Sequence, residues 1–343
     1  MTIDMHSHWR PPALIDPLRA RSEAPLIETG DDGVEVLRGR SGSTEPVSEA
    51  FDNLEERLAV MDRQGITTAV LSLFGTFQWI EALPLEESLA MLRVHNDALT
   101  EICAAHPSRF VAYASLPLVD QGAALEEFDR VMGLDGMIGA IVPGNAFLTY
   151  EDAEAFRPYL EAANRHSAVL FVHWGPRPGD AWPRVANDAD NASARLFTLD
   201  MQASLSANMM TLCYSGLLDD YPQARVHIHN LGGNIPYEVE RLDHRNILDT
   251  PDQPMPSSQL IKPNLYVDCN SLGAQAIECG VAAYGTERIM FGTDGTEFGC
   301  EWSEKALKEA RIDDAARHAI RHGNAARFLG HLATLAPYQE AAE

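Results

Sequence analysis

Apolar runs and amphipathic stretches alternate along most of the chain, and their spacing predicts a regular succession of strands and helices. From residue 51 onward, stretches with apolar residues at helical spacing are each followed by a short, mostly apolar run. Such runs are typical of strands that are buried on both faces. Together with a run at the amino terminus, the pattern predicts strands over residues 3–5, 66–73, 110–115, 137–142, 168–173, 225–229, 265–269 and 288–294.

The amphipathic stretches between these runs predict the intervening helices. They cover residues 51–64, 85–105, 121–132, 152–165, 190–219, 235–246 and 273–284. Eight strand–helix units in 343 residues favour a (β/α)8 barrel over an open doubly wound sheet. In addition, no G-x-G-x-x-G turn follows the first strand. We therefore expect an α/β protein in which residues 1–343 form a single TIM-like barrel domain.

Residues 10–50 do not fit this repeat and are too long for a simple connection between a strand and a helix. They contain a predicted β-hairpin, with strands over residues 25–29 and 34–37 joined by the turn residues 30–33. Because long loops are often functional, we expect this N-terminal insertion to be a lid over a site. An insertion without a function is the alternative.

The net charge and the cysteine content limit the binding partners and the cellular compartment that we expect for this protein. The net charge of −24 and the isoelectric point of about 4.8 make nucleic acids and anionic membranes poor partners. The five cysteines are odd in number and form no C-x-x-C pair, so we expect reduced thiols in a cytoplasmic protein. No apolar run approaches the ~20 residues of a membrane-spanning helix. The first residues also lack the pattern of a signal peptide.

Side chains that bind metals or transfer protons lie at the ends of several predicted strands. In a (β/α)8 barrel, catalytic groups come from the carboxyl ends of the strands. These positions hold His6, His8, His173, His229 and Asp294. A spacing of two puts His6 and His8 on one face of a strand, where two neutral imidazoles can share one divalent cation. Any one of the five alone would be an ordinary structural residue, but together they predict a site.

The motifs around these residues resemble the metal-dependent amidohydrolase superfamily. The motifs are Ile3-Asp-Met-His-Ser-His8, Val172-His173, His229-Asn-Leu-Gly-Gly-Asn-Ile-Pro236 and Phe291-Gly-Thr-Asp294. Within the superfamily, the chain looks like the branch that contains aminocarboxymuconate-semialdehyde decarboxylase and γ-resorcylate decarboxylase. The resemblance extends from Ile3 to Phe328 and implies a distorted (β/α)8 barrel.

The resemblance also implies a set of metal ligands. His6, His8, His173 and Asp294 would hold one divalent cation, with Zn²⁺ expected and Mn²⁺ as the alternative. Three imidazoles and a carboxylate suit either ion, and an open coordination position would polarise a substrate oxygen or lower the pKa of a bound water. Two-metal members of the superfamily bridge their ions with a carboxylated lysine on the fourth strand. The predicted strand 137–142 has no lysine, so we expect a single ion.

The sixth predicted strand departs from the family pattern. The family usually has a histidine two residues before the Gly-Gly pair, which here is Gly232-Gly233. That position is Asn230, and His229 lies one residue earlier. A one-residue bulge would bring His229 into the pocket, whereas a regular strand would present Asn230 instead. We expect His229 to be the proton-handling residue that activates a metal-bound water, and Asp294 to be able to handle a proton as well.

Aromatic residues and arginines follow two of the predicted ligand positions. Trp9 and Arg10 come directly after His8, and Trp174 and Arg177 come after His173. Aromatic faces beside arginines suit an unsaturated or aromatic carboxylate, so we expect these four residues to bind substrate. Packing at the rim for the tryptophans and ordinary surface charge for the arginines is the alternative.

The resemblance implies two reactions for such a centre. The first is non-oxidative decarboxylation of a hydroxylated aromatic or unsaturated carboxylic acid, which would make the chain a carbon–carbon lyase. The second is hydrolysis of a C–N, ester, lactone or C–C bond by metal-activated water, with the same residues. A catalytically silent homologue is a third reading, which the intact ligand set argues against. The expected partner is a small-molecule carboxylate, and a homodimer is left open.

Overall fold

The computed structural model describes residues 1–30, 33–40, 42–51, 53–73, 77, 79–181, 194–295 and 300–335. Its strands fall into an eight-stranded parallel sheet and a separate three-stranded sheet. In chain order they are β1 (Thr2–His8), β2 (Leu26–Thr29), β3 (Glu35–Arg38), β4 (Thr44–Pro46), β5 (Ile66–Ser72), β6 (Phe110–Ala114), β7 (Met137–Pro143), β8 (Val169–His173), β9 (Arg225–Ile228), β10 (Leu265–Asp268) and β11 (Ile289–Met290). The large sheet has the order β1-β5-β6-β7-β8-β9-β10-β11.

The large sheet closes into a barrel between its first and last strands. The backbone N–H of Met5 donates to the carbonyl of Phe291 at 2.9 Å, and the N–H of Asp294 donates to the carbonyl of His6 at 2.8 Å. The segment that follows β11 therefore completes the ring by pairing with β1. The predicted (β/α)8 fold is confirmed. The last strand is shorter than predicted, because residues 291–294 bond to β1 instead of extending the pairing of β11 with β10.

Helices follow the barrel strands as the pattern predicts, and the insertion contains two further short helices, which are the first two in chain order. They are α1 (Ile15–Arg19), α2 (Val47–Ala50), α3 (Leu54–Gln64), α4 (Leu85–Ala105), α5 (Gln121–Val131), α6 (Tyr150–Ala155), α7 (Arg157–His166), α8 (Met201–Tyr214), α9 (Ile235–Asp249), α10 (Pro256–Gln259), α11 (Ala274–Tyr284), α12 (Glu301–Glu309), α13 (Asp314–His318) and α14 (Asn324–Leu329). None of the described helices is both long enough and apolar enough to span a bilayer.

Two predicted helices differ from the structure in more than the positions of their ends. The helix predicted over 152–165 is divided into α6 and α7, because Pro158 has no N–H to donate to the carbonyl of Glu154. The helix predicted over 190–219 begins outside the described residues. Its described part starts with a wider π-helical segment, Arg195–Asp200, and continues as α8.

Alternate side chains of each barrel strand belong to two different apolar clusters. Residues such as Leu170 and Val172 pack with the surrounding helices. Their neighbours Val169 and Phe171 belong to a second cluster, which includes Phe328 from α14. Because side chains alternate along a strand, the second cluster fills the barrel. His173 continues the inward series of Phe171 and therefore points into the barrel at its carboxyl end.

The insertion folds as a small sheet of its own. The predicted hairpin is confirmed, since β2 pairs with β3 in antiparallel register. The polar stretch that follows adds β4 as a third strand, which the sequence pattern did not predict. Apolar side chains of the insertion pack with the loop after β5 and with α4. The insertion contributes Leu14, Leu18, Ile27 and Leu37, the loop contributes Trp79 and Ile80, and α4 contributes Leu92.

Candidate metal centre and active site

Four of the predicted site residues converge at the carboxyl end of the barrel. The ligand atoms that His6, His8, His173 and Asp294 offer all lie within 4.8 Å of one another. The Nε2 atoms of His6 and His8 are 3.2 Å apart. The Oδ1 atom of Asp294 lies 2.9 Å from Nε2 of His8 and 3.4 Å from Nε2 of His6.

Hydrogen bonds on the far side of each ring fix which nitrogen faces the centre. Nδ1 of His6 lies 3.0 Å from a carboxylate oxygen of Asp268. Nδ1 of His173 lies 2.8 Å from the carbonyl of Trp174. Nδ1 of His8 lies 3.0 Å from the hydroxyl of Ser72, whose own proton goes to the carbonyl of Ser7. In their neutral forms, the three imidazoles therefore carry their protons on Nδ1 and turn their Nε2 lone pairs towards the centre.

The electrostatics of this cluster favour a positive charge at its middle. Burial lowers the pKa of His6, but the charges of Asp294 and Asp268 outweigh burial and raise that pKa to about 10. Burial lowers the pKa of both His8 and His173, the latter well below its usual range. Nε2 of His173 is buried and has no hydrogen-bond partner among the described residues. A divalent cation would take the place of the proton that His6 otherwise holds, and three lone pairs and a carboxylate would then surround it.

The backbone after β11 brings Asp294 close to β1. Asp294 has a positive φ of 58°, which turns its side chain back over the strand to which its N–H is bonded. Gly292 makes this approach feasible. A Cβ atom at Gly292 would lie 2.9 Å from Cβ of Asp268 and 3.0 Å from Cβ of His6. The Phe-Gly-Thr-Asp motif thus needs its glycine for packing against two site residues.

A left-handed turn, in place of the suggested bulge, brings His229 into the centre. Residues 230–233 all have positive φ, beginning with 56° at Asn230 and 55° at Leu231. The ring of His229 stacks on that of His173, with centroids 4.4 Å apart and an angle of 5°. The side chain of Asn230 accepts a hydrogen bond from Gln202 at 2.8 Å instead. Of the two alternatives, the structure places His229 at the centre.

The proton of His229 has a defined position in the neutral ring. Its Nε2 accepts the backbone N–H of Trp174 at 2.9 Å, so the proton lies on Nδ1. That Nδ1 is buried and has no hydrogen-bond partner among the described residues. Burial, followed by the charge of His6, lowers the pKa of His229 to about 3. His229 is therefore neutral and presents a hydrogen-bond donor beside the four converging residues.

The two tryptophans predicted to bind substrate lie in different surroundings. Trp9 is buried among the residues that pack between the barrel and its helices. Trp174 is also buried, and its backbone contacts both His173 and His229. Its ring meets that of Phe197 edge-on at 5.9 Å. Contact with substrate stays a prediction for both residues.

The two predicted arginines already hold carboxylates of this chain. Arg10 donates to Glu45 of the insertion at 2.9 Å. Arg177 donates to Asp152 at 2.7 Å and to Asp180 at 3.2 Å. A substrate carboxylate would have to share or displace these partners. Their role in substrate binding also stays a prediction.

One buried carboxylate near the centre was not identified from the sequence. Asp268, the last residue of β10, is fully buried and bonds to both His6 and His227. Burial would raise its pKa, but the charge of His6 and hydrogen bonds from the two histidines hold the pKa well below its usual range. The signal was present, because Asp268 follows the same strand-end rule that identified His173 and Asp294.

Comparison with known proteins now identifies the family. The sequence profile described as amidohydrolase matches residues 3–331. The chain belongs to the amidohydrolase family. Among relatives, this amidohydrolase is 27% identical over 292 residues to γ-resorcylate decarboxylase of Rhizobium sp. (strain MTP-10005), covering 81% of this chain and 88% of that one. It is 23% identical to 2-amino-3-carboxymuconate-6-semialdehyde decarboxylase of Dictyostelium discoideum, covering 80% and 76%.

Solved structures share the fold of this amidohydrolase. The 2,6-dihydroxybenzoate decarboxylase from Rhizobium superposes with a TM-score of 0.71 at 24% identity, covering 95% of this chain and 98% of that one. A dihydroxybenzoic acid decarboxylase from Polaromonas sp. JS666 superposes with a TM-score of 0.69 at 22% identity, covering 97% and 98%. The Polaromonas structure contains manganese and the inhibitor 2-nitroresorcinol.

Proposed function

We propose that this amidohydrolase is a metal-dependent decarboxylase of a hydroxylated aromatic carboxylic acid. The observation that carries the proposal is the convergence of Nε2 of three buried histidines and the carboxylate of Asp294 at one point. The named relatives, which are decarboxylases of aromatic or unsaturated acids, support the choice of reaction. A carbon–carbon lyase is therefore favoured over a hydrolase.

One divalent cation would be held by His6, His8, His173 and Asp294. Bound there, the cation would attract substrate oxygens and withdraw negative charge from them. Both Zn²⁺, the ion expected from the sequence, and Mn²⁺ suit three imidazoles and one carboxylate. The manganese in the Polaromonas enzyme makes Mn²⁺ the ion to test first.

Aromatic side chains beside the cluster suit a flat, unsaturated substrate. The ring of Phe77 lies 6.4 Å from that of His173 in an edge-on arrangement. Trp174 provides a second aromatic side chain next to the cluster, and both residues are buried. Stacked or edge-on contacts of this kind hold an aromatic acid better than an aliphatic one.

His229 and Asp294 would handle hydrogen bonds and protons. The Nδ1–H of His229 would donate a hydrogen bond to an anionic substrate oxygen. Asp294, whose side chain is 20% exposed, would take the proton of a substrate hydroxyl and pass it to the ring carbon that bears the carboxylate. The C–C bond then breaks, its electron pair returns to the ring, and CO₂ leaves. The resulting phenolate regains a proton from water.

The test is product analysis on a panel of substrates. Protein loaded with Mn²⁺ should convert 2,6-dihydroxybenzoate or a related hydroxybenzoate into equal amounts of CO₂ and the corresponding phenol. Asp294→Asn keeps the shape but loses the negative charge, so we expect it to lose at least about 10³-fold in kcat/KM, since it removes both a ligand and a proton carrier. Efficient hydrolysis of aromatic esters, amides or lactones, with no acid decarboxylated, would replace this proposal by the hydrolase.

A further inference from the structure

We propose that Asp268 is a positioning residue whose two oxygens serve two parts of the site. One oxygen orients the candidate metal ligand His6, and the other holds the backbone turn that presents His229. The inference rests on the proposed function, because it takes His6 to be a metal ligand. It goes further by assigning a role to a buried network that does not itself belong to the metal centre.

The contacts of Asp268 divide cleanly between its two carboxylate oxygens. Oδ2 lies 3.0 Å from Nδ1 of His6 and 3.0 Å from Nε2 of His227. Oδ1 accepts the backbone N–H groups of Asn230 at 2.9 Å and Asn270 at 3.0 Å. The residue is fully buried. Four donors thus satisfy a carboxylate that would otherwise be costly to bury.

We call the contacts of Oδ2 the Oδ2 arm and those of Oδ1 the Oδ1 arm. The position of every proton in the Oδ2 arm is fixed. A carboxylate only accepts, so His6 donates from Nδ1 and His227 donates from Nε2. Nδ1 of His227 then has a free lone pair, and the hydroxyl of Tyr113, 3.2 Å away, donates to it. With each nitrogen assigned, His6 is left with its Nε2 lone pair facing His8 and Asp294. A ring that donates Nδ1–H to a carboxylate is the form that binds a metal through Nε2.

The Oδ1 arm acts on the backbone next to His229. Asn230 and Leu231 are non-glycine residues in the left-handed region, a conformation that needs support from its surroundings. The bond from the N–H of Asn230 to Asp268 supplies that support at the first residue of the turn. This turn sets the stacking of His229 on His173. Asp268 therefore links the ligand on β1 to the donor that follows β9.

Two substitutions separate the arms. Asp268→Asn keeps an acceptor for the N–H of Asn230, but its NH₂ group cannot accept from His6 or His227. Asp268→Ala removes both arms. Glu127→Gln is the matched control, because Glu127 is equally buried and bonded to arginines and an amide, away from the centre.

The readouts are metal affinity and amide exchange, measured without substrate. Metal-free protein is titrated with Mn²⁺ against a competing chelator, and we expect Asp268→Asn to bind about 10–100-fold more weakly than wild type. Glu127→Gln should bind with wild-type affinity. Hydrogen exchange at the amide of Asn230 should stay slow in Asp268→Asn and become fast in Asp268→Ala.

If the variants do not fold, a measurement on wild-type protein tests the Oδ2 arm. In Zn²⁺-loaded protein with ¹⁵N-labelled histidine, NMR should find the proton of His6 on Nδ1 and that of His227 on Nε2. The opposite assignments, or unchanged Mn²⁺ affinity in Asp268→Asn, overturn the inference and leave the proposed function standing. Tight metal binding without CO₂ release overturns the proposed decarboxylation alone and leaves the role of Asp268 standing. Wild-type protein that binds no divalent ion overturns both.

Discussion

The neighbours of Arg177 determine whether its guanidinium is available to a substrate carboxylate. Arg177 lies in the loop after His173, where a cation could meet a substrate carboxylate, yet its guanidinium is bonded to Asp152 and Asp180. Arg10 is similarly bonded to Glu45 and lies 5.4 Å from the ring centre of Trp79. Partly exposed pairs of this kind contribute little to stability. They can therefore open for a substrate at small cost.

Substitution of these arginines tests whether either one binds the carboxylate. If Arg177 or Arg10 does so, its replacement by Met should weaken binding of an aromatic acid by about 10-fold or more, since a charge-assisted hydrogen bond is lost. Binding of the methyl ester should change little. Inhibition constants for matched acids and esters measure the difference, and Arg311→Met, on an exposed surface, is the control. If neither variant separates acid from ester, the carboxylate binds elsewhere.

The residues at strand ends show what the sequence could and could not predict about the site. His6, His8, His173 and Asp294 were identified because the fold class specifies where strand ends meet. The geometry at His229 was not predictable from spacing, because Asn230 and Leu231 adopt left-handed conformations. The first of these residues, Asn230, is held by a hydrogen bond to the carboxylate of Asp268, which lies 38 residues further along the chain. Only the folded chain brings these partners together.

The interface between the insertion and the barrel contains a buried acid. Glu81 lies in the loop between β5 and α4, beside the apolar side chains that hold the insertion. Burial raises the pKa of its carboxyl group to about 7, although backbone N–H groups of Glu81 and Trp79 oppose this. Its Oε2 has no hydrogen-bond partner among the described residues. The charged form is therefore unfavourable in the folded protein.

This acid makes the stability of the fold depend on pH. Between pH 4.5 and about 7, the folded chain keeps the proton of Glu81 and the unfolded chain loses it, so stability falls as the pH rises. Glu81→Gln cannot ionise and should gain about 1–3 kcal/mol over wild type above pH 7, and little at pH 5. Urea unfolding at both pH values measures this. Glu86→Gln, at an exposed carboxyl group nearby, controls for the change in charge, and an equal gain at both pH values would contradict the explanation.

The predicted lid leads to a test of the insertion as a unit. Residues 10–50 follow the ligand pair directly, so closure over the site would exclude water during the reaction. We expect trypsin to cut at Arg38 or Arg40 more slowly when Mn²⁺ and 2-nitroresorcinol are both present. The rate of cleavage with Mn²⁺ alone is the control. Equal rates with and without the inhibitor would leave the segment as an ordinary insertion.

The elements were predictable to different degrees for physical reasons. Long amphipathic segments such as α4 matched their predicted bounds, because their apolar spacing continues over many turns. The strand β4 was missed because Thr44–Pro46 has only a polar and proline-containing sequence. It forms a strand by pairing with β3, which is a tertiary effect.

On the scale of the whole molecule, the two ends of the barrel sheet are joined at the candidate metal centre. The candidate ligands His6 and His8 on β1 and the carboxylate of Asp294 lie on opposite sides of the seam that closes the ring. His173, at the end of β8, completes the set. A cation bound to all of them would stabilise the closed barrel, because the unfolded chain does not bring these side chains together.

Metal binding should therefore raise the stability of the entire fold. At a free ion concentration of about 100 times Kd, the gain should be about 2.7 kcal/mol. Calorimetry of the metal-free and Mn²⁺-loaded protein measures the gain, and His173→Ala should lose most of it. Elemental analysis should find about one ion per chain. Two tightly held ions per active chain would contradict the single-ion centre.

The closure of the barrel by its first and last strands also sets an order of events during synthesis. At roughly 5–20 residues per second, His6 and His8 leave the ribosome on the order of 15–60 s before Asp294. During that interval His173 also emerges, and Asp294 completes the set of four last. An ion bound by part of the set on an unfolded chain would exchange easily. We therefore expect the finished barrel, and not the nascent chain, to select the metal from the ions that it then encounters.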